Sequence, residues 1–564
     1  MLDALFKPRA VAIVGASTKE LSIGNVIIKN LQTYGYRGRI YPIHPTAPDV
    51  RGLKSFKTLD EIPGEVDVAH IIIPAKLVPQ AIEECGRKGV KAVIINSAGF
   101  SEMGEEGARL QATFLANARK HGVRVFGPNC QGIINTDPAL KAYCNFTFTF
   151  PEPGSISVVA LSGGVGALIM QALFDEGIGM RMYASNGNAC DLSIPEILRY
   201  WADDPGCKAI LLYTEGFSNP LEFLETAREV TARKPILAMK AGRTEQGAKA
   251  ASSHTGSLAG VDIATELIFE KTGILSFQNE EEMVRAAKAF ATQPVPSGNR
   301  VGIITNTGGP AVIATDVLVA AGLELAALSE ASIARLKATQ LPQAALGNPV
   351  DVVATAGGDR FRAAMEVLQE EEGVDSIFIN FVTAPFTDTQ EVARQIVEAS
   401  RKGSKPVVCN FMTDLTQERY RVTMQILKEG GIPFYATPTA AARALAALVK
   451  YGRLRQRDIG QPRTFPGVDA SKASAVVEQA RRGGRSVLSA AEVYTILEAY
   501  GIPVAGWKVV QSAAEAVAAA ESIGYPVAVK VDAEAIDHKS DRGGVAVNLE
   551  DAAAVRSAVE EMQG

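Results

Sequence analysis

"VAIVGASTKELSIGN", residues 11–25, opens as an unbroken apolar run, stops at Gly15 and resumes after Ser22 with helical spacing. A strand buried on both faces, a turn of small residues and a helix give this pattern. Such a turn can present backbone N–H groups and a helix N-terminus to a phosphate. The stretch is not a GxGxxG fingerprint, so an ordinary tight turn with no ligand stays open on this segment alone.

The same order recurs along the chain. "VDVAHIIIPA" and "KAVIINSAG" follow it, then "SISVVALSGG", "CKAILLYTEG" and "KPILAMKAG", then "RVGIITNTGG", "VDSIFINFV" and "KPVVCNF". Amphipathic helical stretches separate these Val- and Ile-rich runs, which is the alternation of parallel strands and crossover helices. The fold class is therefore α/β and multidomain, with three doubly wound domains. The expected boundaries are 1–130, 150–292 and 298–452, then a polar, basic linker at 453–487 and a last unit at 488–564. The second and third domains look like a repeat, with "LSGG" answered by "NTGG" and Gly187, Asn188 and Asp191 by Gly347, Asn348 and Asp351.

With 564 residues, 47% hydrophobic, 21% charged and 51 glycines, the composition is that of a globular α/β protein. A net charge of −5 gives no electrostatic footprint for nucleic acid or an anionic membrane. Six scattered cysteines show neither a disulfide framework nor a zinc spacing, so a cytoplasmic location and no structural metal are expected. The sequence shows no signal peptide and no apolar run long enough to span a membrane.

Candidate site residues gather at strand ends. Gly15, Ala16, Ser17, Ser22 and Gly24 belong to the opening turn, and Pro74, Ala75, Ser97, Ala98, Gly99 and Asn129 follow later strands of the same domain. Leu161, Ser162, Gly163 and Gly164, and likewise Thr307, Gly308 and Gly309, start helices that can point orphan N–H groups at an anion, although helix capping alone explains either set. His254, one of only five histidines, lies in "SSHTGS" among small and hydroxylated residues. It reads as a structural or surface residue, or as a nucleophile toward phosphorus if an acceptor holds its other nitrogen. Glu215, in "LLYTEGF", is a candidate acceptor, because a carboxylate ending a buried strand is costly unless used. Near the end, Lys530 could hold a nucleotide phosphate and His538 precedes a Gly-Gly turn, in what could equally be a plain charged loop.

Taken together, "VGAS", "GPNC", "SSHTGSLAG", "TNTGGP", "GNPVD" and "HKSDRGGV" occur in an order that resembles the ADP-forming (NDP-forming) acyl-CoA synthetases, a group similar to succinyl-CoA synthetase. The resemblance implies a CoA-binding Rossmann-like first domain, two flavodoxin-like domains of the succinyl-CoA synthetase type, and the N-terminal part of an ATP-grasp domain. It further implies acid:CoA ligation with CoA, ATP/ADP and Mg2+, through an acyl phosphate and phosphorylated His254, with Glu215 orienting the imidazole and His538 relaying phosphate. Two departures stand out. Where the family usually reads S-Q-S-G, this chain has Ala160, Leu161, Ser162 and Gly163, which favours a bulkier or more apolar acid than acetate; where the family has N-P-K, it has His44, Pro45 and Thr46. The Mg2+ ligands and remaining ATP-grasp strands are expected beyond the given residues or on a partner subunit, and a homodimer is the other assembly considered. A scaffold that couples ligation to further acyl chemistry, and a non-catalytic CoA-responsive or acyltransferase-associated homologue, remain the alternatives.

Overall fold

The computed structural model describes residues 2–244, 246–247, 262–457, 465–532 and 543–563. The chain divides into two compact units, Met1–Asp458 and Ile459–Gly564.

The larger unit is built on three sheets. In the first, five parallel strands lie in the order Arg39–Ile43, Ala10–Val14, Val68–Ile71, Ala92–Ile95 and Arg124–Phe126. The strand order reverses beside Ala10–Val14, so the loops after that strand and after Val68–Ile71 flank the crevice where doubly wound folds take ligands. Helix Ile23–Tyr34 starts there, capped by the Ser22 side chain accepting from Asn25 N, and it ends on Gly35 at φ 83°.

The second sheet has seven strands: Leu275–Phe277, Ile236–Lys240, Ala209–Thr214, Pro153–Ala160, Met180–Ser185, Gly132–Asn135 and Ala142–Asn145. The first five are parallel and the last two antiparallel. Residues 130–150 read in the sequence as a break between domains; they instead supply this antiparallel edge. The edge is fastened to the first domain by Asn30, whose amide donates to the carbonyls of Asn145 and Thr147, both at 3.0 Å. Arg124, on the last strand of the first sheet, pairs with Asp191 and Glu196 of the second domain, each at 2.9 Å.

The third sheet is parallel, in the order Glu324–Leu325, Arg300–Thr305, Ser376–Val382, Val407–Met412 and Phe434–Tyr435, with Val350–Asp351 also paired to Arg300–Thr305. Helices Glu280–Thr292 and Pro438–Gln456 pack in one continuous apolar core that joins the second and third domains. Tyr451 seals that junction, its hydroxyl donating to Thr231 O at 2.8 Å. Helix Pro438–Gln456 runs on into the stretch that reads as a linker.

The smaller unit contains helices Ala470–Arg482, Ala490–Ala499, Ala513–Ile523 and Ala552–Gln563 around an antiparallel pair, Val527–Lys530 and Val545–Leu549. Its core is slight, with Ala516, Ala520, Val555 and Val559 buried together. The apolar stretch 501–510 forms no strand: neither edge of the two-stranded ladder pairs with it, and Ile502 and Val509 stay exposed. Among the described residues no helix is long and apolar enough to cross a membrane.

Candidate active site

The loops at the carboxyl ends of the first sheet are locked to one another through backbone. Gly15 has φ 96°, and a Cβ there would stand 2.1 Å from Ile72 O; a Cβ on Gly24 would stand 2.4 Å from Gly15 O. Only glycine permits this close approach of turn, neighbouring loop and helix. Asn129, at φ 56°, donates from its backbone to Ser97 O at 3.1 Å, and the Ser97 hydroxyl donates to Ile73 O. The structure thus brings Gly15, Ala16, Ser17, Gly24, Pro74, Ala75, Ser97, Ala98, Gly99 and Asn129 to one rim, while the Ser22 hydroxyl is committed to its helix cap. At the His44-Pro45-Thr46 departure, His44 Nδ1 accepts from the backbone of Thr46 at 3.2 Å and Ala47 at 2.8 Å. The imidazole closes the turn as an Asn side chain would, without a cation.

Where this rim meets the second sheet lies a cavity of about 630 Å³. Asn129 and its neighbours form one wall, Leu161, Ser162, Gly163 and Gly164 a second, and Glu215 a third. Helix Gly163–Asp175 aims its N-terminus at this space, with Ser162 capping Val165 N. Glu215 is 5% exposed, so its carboxylate is out of water. Its Oε1 accepts from the Tyr213 hydroxyl at 3.1 Å, and its Oε2 has no hydrogen-bond partner among the described residues. A carboxylate in that state is costly and is suited to take an N–H from a group that comes to it. The proximity of the carboxylate also pushes the Tyr213 hydroxyl up, after burial, the larger cause. On the adjacent strand, in register with Thr214, Lys240 is buried too, its ammonium 3.4 Å from Gly242 O.

Sequence reasoning missed several walls of this cavity. Gln131 is wedged beside the helix start: its Oε1 accepts from the Tyr183 hydroxyl at 2.8 Å, and a Cβ on Gly163 would meet its Cγ at 2.7 Å. Phe217 stacks on Phe223 at 4.0 Å between centroids and lines the same space, as does Phe146. Glu102 holds Gly99 N at 2.6 Å and the Asn188 amide at 2.6 Å, tying the first domain's loop to the second domain. The motif "GPNCQG" contained Gln131, but its side-chain direction needs the tertiary fold. Thr307, Gly308 and Gly309 do not line the cavity. Their helix, Gly308–Ala320, does have an open mouth, because a Cβ on either glycine would touch nothing within 4 Å. His254 and His538 lie outside the described residues. Lys530 ends its strand with its side chain exposed.

A rim of strand-end loops, a helix N-terminus and a buried carboxylate oxygen with no hydrogen-bond partner among the described residues share one cavity, which makes this a doubly wound α/β protein with its candidate site at the strand ends. Family models agree segment by segment: a CoA binding domain matches residues 9–136, a succinyl-CoA ligase like flavodoxin domain 153–290, a ligase-CoA domain 301–457 and an ATP-grasp domain 479–564. The alpha subunit of acetate–CoA ligase (ADP-forming) II from Pyrococcus furiosus is 41% identical over 458 residues, 80% of this chain and 98% of that one. The 4-hydroxybutyrate–CoA ligase (ADP-forming) of Nitrosopumilus maritimus is 34% identical over 558 residues, 98% of this chain and 79% of that one. Among solved structures, the apo dinucleotide-forming acetyl-coenzyme A synthetase 1 of Ca. Korarchaeum cryptofilum superposes with a TM-score of 0.75 at 33% identity, covering 81% of this chain and 98% of that one. The chain belongs to the ADP-forming acid–CoA ligases, a family of acid–thiol ligases, with domains for CoA and for ATP or ADP.

Proposed function

We propose that this protein joins a carboxylic acid to CoA at the cavity between its first two domains, with ATP giving ADP and phosphate, and that phosphate is carried on His254. The carrying observation is Glu215 Oε2, buried and without a hydrogen-bond partner among the described residues, in the cavity that a helix N-terminus also enters. A carboxylate is a poor acylating agent, so it is activated first. An imidazole nitrogen of His538 attacks the γ-phosphorus and ADP leaves; His254 takes the phosphoryl group as the His538 N–P bond breaks, and the acid's oxygen then takes it as the His254 N–P bond breaks. The CoA sulfur attacks the acyl carbon of the acyl phosphate, and inorganic phosphate departs with the bonding electrons. Glu215 holds the other imidazole nitrogen, fixing the tautomer and stabilising positive charge on the ring. The N–H groups at Gly163 and Gly164 stabilise charge on the phosphate that is formed or consumed.

Lys530 and His538 are assigned to the nucleotide end of this sequence, supported by the ATP-grasp match at 479–564. Mg2+ would neutralise the nucleotide phosphates. The described residues hold no group of three or more His, Cys, Asp or Glu that could bind a metal ion. A partner subunit is a further part of the proposal, supported by the relative that is itself an alpha subunit. The acid is proposed to be larger than acetate, because Leu161, Phe146, Phe217 and Phe223 make much of the cavity wall apolar. The test is labelled phosphate: wild type incubated with acyl-CoA and phosphate should gain an acid-labile label, and His254→Ala should gain none. Normal turnover by His254→Ala would overturn the mechanism.

A further inference from the structure

The larger unit holds a second cavity, about 990 Å³, that shares no lining residue with the first. It lies at the seam of the second and third domains, between strand Leu275–Phe277, helix Glu280–Thr292 and helix Pro438–Gln456. Leu275, Phe277, Ala286, Ala440, Ala444 and Ala447 give it an apolar floor. Its rim is cationic: Arg285, Arg443, Lys450, Arg453 and Arg457 face one carboxylate, Glu282, in a chain whose net charge is −5. Helix Pro438–Gln456 contains no acidic residue, and Arg443, Lys450 and Arg453 recur at spacings that put them on one face. Arg443 is paired with Glu282, and Arg285 with Glu281 at 3.2 Å and Glu176 at 3.5 Å. Arg457 donates to Glu270 O at 3.0 Å. Lys450 and Arg453 have no ion pair or hydrogen bond among the described residues.

We propose that this groove is a second ligand site, taking a small molecule with phosphate groups on an apolar or aromatic body. Lys450 and Arg453 bind the phosphates, and the Leu275, Phe277 and alanine floor takes the body. Its size is at the upper end of small-molecule pockets, about 300 to 1,000 Å³. Because the walls come from both domains, such a ligand bridges them.

Pyridoxal 5′-phosphate has this chemistry and reports its position. Its aldehyde forms an imine with a lysine, releasing water, and borohydride reduces the imine to a stable amine that peptide mapping locates. On the full chain, Lys450 should be labelled about tenfold faster than Lys337, an exposed helix lysine elsewhere in the third domain. Tripolyphosphate should suppress the labelling of Lys450 and not that of Lys337, and Arg453→Gln should abolish that protection. Competition by ADP and by CoA, each added alone, separates a nucleotide from a thioester-derived ligand, and protection by tripolyphosphate with none from either would overturn the assignment of the apolar floor to a ligand body. Labelling of Lys450 at the rate of Lys337 with no protection would overturn the proposal. So would a Lys450 that takes no label, as it would if another protein surface covered the groove.

Discussion

Replacing Glu215 by Gln should make the protein more stable and a much slower catalyst. Glu215 is 5% exposed, with one oxygen on Tyr213 at 3.1 Å and the other unpartnered among the described residues. Leaving a buried polar group unpaired costs about 1–3 kcal/mol, more if charged. The amide keeps the shape and the Tyr213 bond but removes the charge, so a gain of about 1 kcal/mol follows, or about 2–4 °C in the unfolding midpoint for a domain of this size. Function moves the other way. An amide can present its N–H where an acceptor is needed and so favour the wrong imidazole tautomer, and loss of such a partner slows chemistry by about a hundredfold or more. Thermal melts, CoA binding and labelled-phosphate uptake from acyl-CoA should therefore diverge in Glu215→Gln: midpoint up, CoA affinity unchanged, phosphorylation rate down. A variant that melts earlier and loses CoA affinity and phosphorylation together would show that Glu215 is a structural residue and would refute the reasoning.

Leu161→Gln should shift preference toward small acids by about tenfold, since each methylene fitted in an apolar pocket contributes about 1–3 kcal/mol; an unchanged ranking of acetate, branched and aromatic acids would remove Leu161 from the acyl wall. Gln131→Leu should raise KM for the acid more than it lowers kcat, because the Gln131 amide lines the same cavity as Leu161; equal effects on kcat and KM for CoA would contradict that. Burial holds His70 near a pKa of about 3, with the Asn96 amide offsetting part of the effect. Between about pH 6.5 and 3 the unfolded chain binds a proton that the folded one refuses, so stability falls as pH falls through that window, by about 2 kcal/mol at pH 5. His70→Leu should flatten this loss in urea midpoints taken at pH 7 and pH 5, and an identical drop in both proteins would refute it.

Much of the fold is legible in the chain because its central strands are buried on both faces. Nine Val- and Ile-rich runs, seven of them ending in small residues, announce the strands that lead to Gly15, Glu215 and Thr307. Edge strands carry no such signal: Gly132–Asn135 and Ala142–Asn145 are four residues each, and the pairing of Gly132–Asn135 with Met180–Ser185 is decided across long sequence separation. The matched Gly-Asn-x-x-Asp segments show where letters mislead. Gly187 is forced, since a Cβ would stand 2.2 Å from Pro128 O, and Asn188 reaches Glu102; around Gly347 there is open space, and Asn348 instead accepts from Ile303 N at 2.9 Å. In the site, Glu215 was readable as a charge ending an apolar run. Gln131 and Phe217 were not, because nothing local fixes which way a loop side chain faces.

The antiparallel edge at 132–145 changes how this protein can be recombined. A graft cut near residue 136, where the CoA binding match ends, would leave Gly132–Asn135 with one donor and Ala142–Asn145 with the other. Asn30 would then face foreign carbonyls in place of Asn145 and Thr147. The viable seam lies further on, between Phe148 and Pro153, after the edge is complete and before the first parallel strand of the second sheet begins. A chimera that swaps CoA recognition should therefore carry both short strands with the incoming domain and keep Gly132–Asn135 able to pair with the resident Met180–Ser185, or it will be left with an unpaired sheet edge.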